Sequence, residues 1–191
     1  ETAFGTAVLG LLILDLFVMD GKFINPVPDR QAAESIQPTP TITYLKAQPG
    51  LFRVFPLGNI GTPQEAAPYI YHTVQSILGY HPAKLKIYQT MIDSCLYHGP
   101  DPSFPINMSI VNMLNVRYLL VPGQLPPGMF ELANADQAGG IYVYKNPGAL
   151  PRAFFVDTTV VAGSDTEVFG LLNAASFNPA LMAVLEKPTA A

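Results

Sequence analysis

The chain has 191 residues, of which 49% are hydrophobic and only 13% charged, with a formal net charge of −4. Its positive charges are scattered, so no Lys/Arg cluster neutralises a row of phosphates and nucleic acid is excluded as a partner. No polybasic stretch suits an anionic membrane surface, and the single cysteine, Cys95, excludes an internal disulfide.

Residues 3–19 read AFGTAVLGLLILDLFVM, with Asp15 as the only charge. Apolar residues on every side mark a helix buried all round rather than one lying on a surface. A membrane span needs roughly 20 such residues, so residues 1–20 are expected to be the end of a transmembrane helix whose upstream part is missing. No Lys or Arg precedes the run and no small-residue cleavage pattern follows it, which argues against a signal peptide. The alternative is a core helix of a soluble domain. Mean hydropathy is +0.27, and the excess sits in these first residues.

Residues 21–40 are polar and proline-bearing and read as a linker, followed by a domain over 41–188. Segments 41–47 and 51–57 are strand-like. Thr62, Pro63 and Glu65 form a capping box that opens a helix running to Leu78 and stopped by Gly79. A second helix starts near Pro82, with Leu85, Tyr88, Met91, Ile92 and Cys95 on one stripe, and a third covers about 107–114. Segment 117–121 (RYLLV) is a buried-type strand, and 130–135 with 141–145 form a hairpin. Residues 150–161 predict a long strand. Ser164 to Glu167 is a second capping box, leading a helix to about Ala174, and 182–186 reads as a last strand. The nineteen prolines and fifteen glycines punctuate many short elements. The fold class expected is α/β, more fully mixed α+β: a mixed sheet with packed helices, a parallel crossover between 51 and 121, and the apolar helix in front.

Catalytic constellations are not evident, and no catalytic residue is assigned. Asp93, Asp101, Asp157 and Asp165 sit on separate elements, whereas glycosidase chemistry needs two carboxylates aimed at one bond. His72, His81 and His98 form no metal-ligand pair, so neither metal nor cofactor is expected. Ser94 and Cys95 lie inside a helix, where a reactive nucleophile is not normally held, and Cys95 reads as a buried thiol.

Binding candidates are easier to name. The junction from Gly58 through Asn59 to Thr62 offers helix N–H groups to an anion, although a simple turn explains it as well. Arg117 and Arg152 flank apolar strands, with Asn115 and Asn146 near them. Tying strand ends to turn carbonyls is one use for them. The other is a recess that holds a glycan, with Tyr69, Tyr71, Tyr80 or Tyr118 as flat platforms.

Three segments carry a resemblance: GYHPAKLKIYQ at 79–89 with NIGTPQEAAPYIYHTVQSI before it, NMLNVRYLLV at 112–121, and YKNPGALPRAFFV at 144–156. In this order and spacing they resemble the extracytoplasmic domain of YfhO-type bacterial membrane proteins, multi-spanning relatives of glycosyltransferases that use polyprenyl-phosphate sugars. Asp15-Leu16 matches the Asp-Leu pair that ends the preceding helix in that family, and the family pattern includes Asn115, Arg117, Asn146 and Arg152. The chain departs from it in having no Trp, where the family has a Gly-Trp pair in a later β-rich region. The family's catalytic carboxylate, on an early loop, falls outside these residues.

The resemblance implies a non-catalytic domain on the outer side of the bacterial cytoplasmic membrane, recognising an acceptor or bracing the membrane part of a parent that moves lipid-linked sugar. Its partners would be the membrane, through the N-terminal helix and missing spans, and a glycan or lipid-linked sugar. A dimer through the apolar helix would reflect exposed apolar surface rather than native oligomerisation. The rival class is a soluble binding or scaffolding domain without a transferase parent, and an autonomous hydrolase is disfavoured for want of an activated nucleophile.

Overall fold

With apolar side chains on all faces and no proline before Pro26, the N-terminal residues have nothing to interrupt a helix. The computed structural model describes residues 2–24, 34, 36–58, 68–79, 85–99, 101–102 and 104–187, divided into units 1–37 and 38–191. In the first unit, helix α1 (Thr2–Phe23) has 22 residues, longer than the apolar run suggested. At 1.5 Å per residue it is about 33 Å long, enough for a hydrocarbon core of about 30 Å. Its apolar side chains stand exposed on every face, and by length and composition it can cross a membrane.

The second unit is mixed α+β. Its elements are α2 (Pro40–Lys46), β1 (Arg53–Pro56), α3 (Lys86–Met91), α4 (Met108–Met113), β2 (Val116–Pro122), β3 (Glu131–Asp136), β4 (Ile141–Lys145), β5 (Thr158–Val161), α5 (Asp165–Asn173) and β6 (Met182–Leu185). A π-helical turn (Ile92–Leu96) continues α3 and buries Ile92, Cys95 and Leu96. The main sheet runs β1-β2-β4-β3. Strands β1 and β2 are parallel, as the crossover requires, and β2, β4 and β3 are antiparallel. Strands β5 and β6 form a separate parallel pair, bridged in sequence by α5.

Both faces of the main sheet are covered. Phe55, Leu119 and Tyr144 meet Ile92, Cys95, Leu96 and Ile110 on one side; Val54, Tyr118, Leu120 and Val143 meet Ile42 and Leu45 of α2 on the other. Strands buried on two faces read as continuous apolar runs rather than alternations, which is why RYLLV carries no period. The two cores supply the driving force at roughly 25 cal/mol per Å² of apolar surface removed from water.

Four expectations need correction. Residues 41–47 are helical, not a strand: Thr39 caps α2 by accepting from the Ile42 N–H at 3.2 Å, and Pro40 occupies its first turn. The helix expected to reach Leu78 ends at Tyr71, and Ser76 instead bridges Val54 as a parallel neighbour of β1. The second helix, expected to start near Pro82, begins at Lys86, where Leu85 is extended before it. Only Thr158–Val161 of the long strand at 150–161 pairs, because Pro151 removes a donor and residues 151–155 lie exposed. The Thr62 box falls outside the described residues. Ser164 caps α5 by accepting from the Glu167 N–H, and the Glu167 carboxylate accepts from the Gly163 N–H at 2.7 Å.

Candidate functional site

Parallel β1 and β2 start at the same end of the sheet, and the sequence loads that end with positive charge. Segments 45–53, 72–79, 112–122 and 144–152 contain Lys46, Arg53, Arg117, Lys145 and Arg152 but neither Asp nor Glu. Lys145 is engaged by Glu131 across the hairpin. Burial first, then the nearby charge of Arg152, lowers the Arg53 pKa from its ordinary value, so these guanidiniums share one field. Arg53 donates to the Leu114 carbonyl at 3.0 Å.

Arg117 donates to the Pro49 carbonyl at 2.6 Å, and its guanidinium carbon lies 4.9 Å from the centroid of the Phe52 ring. Gly50, at φ +81°, passes so close that a Cβ there would lie 3.3 Å from an Arg117 nitrogen. Arg152 donates to Gln75 Oε1 at 2.7 Å. Both arginines thus fasten segments that border one recess.

The recess, about 210 Å³, lies between the end of α2 and the extended segment beside β1. Lys46, Gln48, Phe52, His72, Thr73 and Gln75 supply its chemistry, with Leu45, Gly50, Leu51 and Val74 completing the lining. Gln48 is occupied internally, donating to the Tyr44 carbonyl and accepting from the Tyr118 hydroxyl.

Thr73 holds an unusual conformation. Residues 68–71 are helical, and the chain then makes a Schellman closure: the Val74 N–H donates to Tyr69 O at 2.8 Å and the Thr73 N–H to Ile70 O at 3.0 Å. Tyr69 and Val74 pack in one cluster, the apolar contact this closure usually brings. The residue at its turning point is normally glycine, but here it is Thr73 at φ +61°. A β-branched residue in the left-handed region costs about 1–2 kcal/mol. Its hydroxyl donates to the His72 carbonyl at 2.6 Å, and the residue lies in the lining of the recess.

The asparagines serve the scaffold next door. Asn146, 5% exposed, donates to Asn112 Oδ1 and to the Val116 carbonyl, both at 2.8 Å, and accepts from the Gly148 N–H. Asn115, at φ +60°, ends α4 and donates to the Leu150 carbonyl at 2.8 Å.

The structure brings Arg117 and Arg152 to opposite borders of the recess and puts Asn146 in a buried turn beside them. Asn59, Thr62 and Tyr80 lie outside the described residues, as does His81. Tyr118 is buried in the sheet and presents no platform; Tyr71 is exposed, stacked edge-on to His72 at 5.1 Å. Lys46, Thr73 and Gln75 escaped sequence reasoning, and nothing in their spacing marks them.

Elsewhere, Asp93 accepts from Gln89 Nε2 on an exposed helix face, and Asp165 sits in the first turn of α5. Cys95 is fully buried, and burial pushes its thiol pKa up, the reverse of what a nucleophile needs. Among the described residues no three His, Cys, Asp or Glu side chains gather as a metal site would require. No protein-family model, curated protein or solved structure matches this chain.

Proposed function

We propose that this chain is the non-catalytic extracytoplasmic domain of a bacterial multi-spanning membrane protein of the YfhO type, tied to the bilayer by α1. It recognises the acceptor of a sugar, or braces the part of the parent that transfers it. The observation that carries the reading is α1: 22 residues with apolar side chains exposed on all faces. Water penalises such a surface by roughly 25 cal/mol per Å², whereas lipid does not. The three resembling segments supply the family, and the arginine-rich end of the sheet, where Glu131 is paired with Lys145, supplies a surface for an acceptor.

Fractionation and impermeant labelling test it. The full chain is expected in the membrane pellet after carbonate washing, released only by detergent. A chain lacking residues 2–24 is expected in the supernatant. In a Cys95→Ala background, Ala138→Cys, in the exposed β3–β4 turn, is expected to react with a membrane-impermeant maleimide in spheroplasts. Recovery of the full chain as a soluble monomer overturns the anchor and favours the soluble scaffolding class. Labelling only after lysis overturns the outward orientation.

A further inference from the structure

We propose that the recess beside Thr73 binds a single-ring sugar bearing one negatively charged group, a phosphate or a carboxylate. The inference gives the acceptor-recognition role its chemistry and rests on that role. A volume of about 210 Å³ falls below the ~300–1,000 Å³ usual for ligand pockets, so the occupant is small.

Charge selects it further. Lys46 stands in the lining, Arg117 and Arg152 fasten its two borders, and no lining residue is Asp or Glu. A negative group entering there meets an attractive field from three cations and no carboxylate in the lining, the nearby Glu131 being paired with Lys145. Leu51 and Phe52 provide apolar surface for the C–H face of a ring. Gln75 gives its Oε1 to Arg152, which turns its amide donors away from that guanidinium and leaves them for ring hydroxyls.

Thr73 is the independent observation. Glycine would close the helix there without strain, yet the recess is lined at this position by a β-branched residue, whose hydroxyl gives its proton to the His72 carbonyl and keeps its oxygen as an acceptor. Nothing in the core uses that side chain. A residue kept against its backbone preference, on the wall of a polar recess, is what a binding contact looks like, with stability traded for it.

The test is calorimetric titration of the full chain in a polyoxyethylene detergent, whose headgroup is not a sugar. The probes are glucose 1-phosphate, glucuronate, glucose and inorganic phosphate. At least one of the two charged sugars is expected to saturate, about 10-fold or more tighter than glucose. Which of them saturates distinguishes phosphate from carboxylate. Lys46→Gln is expected to weaken that binding about 10-fold while leaving Tm unchanged. Thr73→Gly is expected to raise Tm by a few degrees and still weaken binding, a pairing that a purely structural role for Thr73 does not produce.

The proposal is overturned when no probe saturates, when glucose binds as tightly as the charged sugars, or when inorganic phosphate alone matches glucose 1-phosphate. Unchanged binding in both variants overturns it as well. A chain that labels from outside yet ignores every sugar sinks this inference alone and leaves the membrane reading in place.

Discussion

Asn146 joins the turn after β4 to helix α4 and to the first residue of β2 by giving one amide hydrogen to Asn112 Oδ1 and one to the Val116 carbonyl. The same side chain receives the Gly148 N–H, and a Cβ on Gly148 would come within 2.7 Å of the Asn112 amide nitrogen. A larger residue at 148 would therefore have to displace the Asn112 side chain that Asn146 holds. Replacing Asn146 by Ala strips partners from buried groups, at about 1–3 kcal/mol. Chemical denaturation of the Asn146→Ala chain is expected to show a lowered midpoint, and an unchanged midpoint would mean that the turn is held by other means.

Thr41 offers the opposite experiment. It is fully buried in α2, and its hydroxyl oxygen has no hydrogen-bond partner among the described residues. Thr41→Val keeps the shape and removes the desolvated group, so the variant is expected to be stabilised by about 1 kcal/mol. A fall in Tm would show that the hydroxyl is in fact satisfied.

Gly99 is a steric prediction. A Cβ there would stand 2.4 Å from the carbonyl oxygen of Ile106, in backbone that cannot swing aside as a side chain does. Gly99 also donates to the Pro105 carbonyl at 3.1 Å, which holds the two strands of chain together. Gly99→Ala is expected to cost about 1–3 kcal/mol or more, measurable as faster amide exchange around Leu96 and Asn107.

Cys95 sets an alkaline limit. Burial raises its thiol pKa in the folded chain, so the unfolded chain ionises first as pH climbs past about 8.5. The unfolded state then holds fewer protons than the folded one, and stability falls with rising pH. The contribution is whole below the unfolded value and is lost towards the raised folded value. Wild-type stability is expected to decline from pH 8 to 10 more steeply than that of Cys95→Val. Parallel curves for the two chains would remove the thiol from the account.

What the sequence disclosed was the part governed by burial and by local caps. The two-sided apolar run of β2, the β3–β4 hairpin around Asp136 to Gly140, and the Ser164–Glu167 box each impose their structure through neighbours in the chain. Thr41 to Ala47 misled because Thr, Ile and Tyr favour strands, and the cap at Thr39-Pro40 outweighed that preference. The helix end at Tyr71 was hidden for a different reason. A Schellman turn announces itself through glycine, and Thr73 carries no such mark, whereas Asn115 in the same backbone state is the residue expected there. The recess was hidden with it. Lys46 and Gln75 are brought together only because the chain after Thr73 lies down beside β1, a tertiary event with no local signature.

The adjacency of β1 and β2 also bears on how the chain is made. Arg53 must pair with Val116, so the β1–β2 ladder cannot form until the whole crossover has left the ribosome. At about 5–20 residues per second, β1 waits for several seconds with its edge unpaired. Non-local pairing of this kind slows folding, and through that interval the unpaired side of β1 is open to the wrong partner.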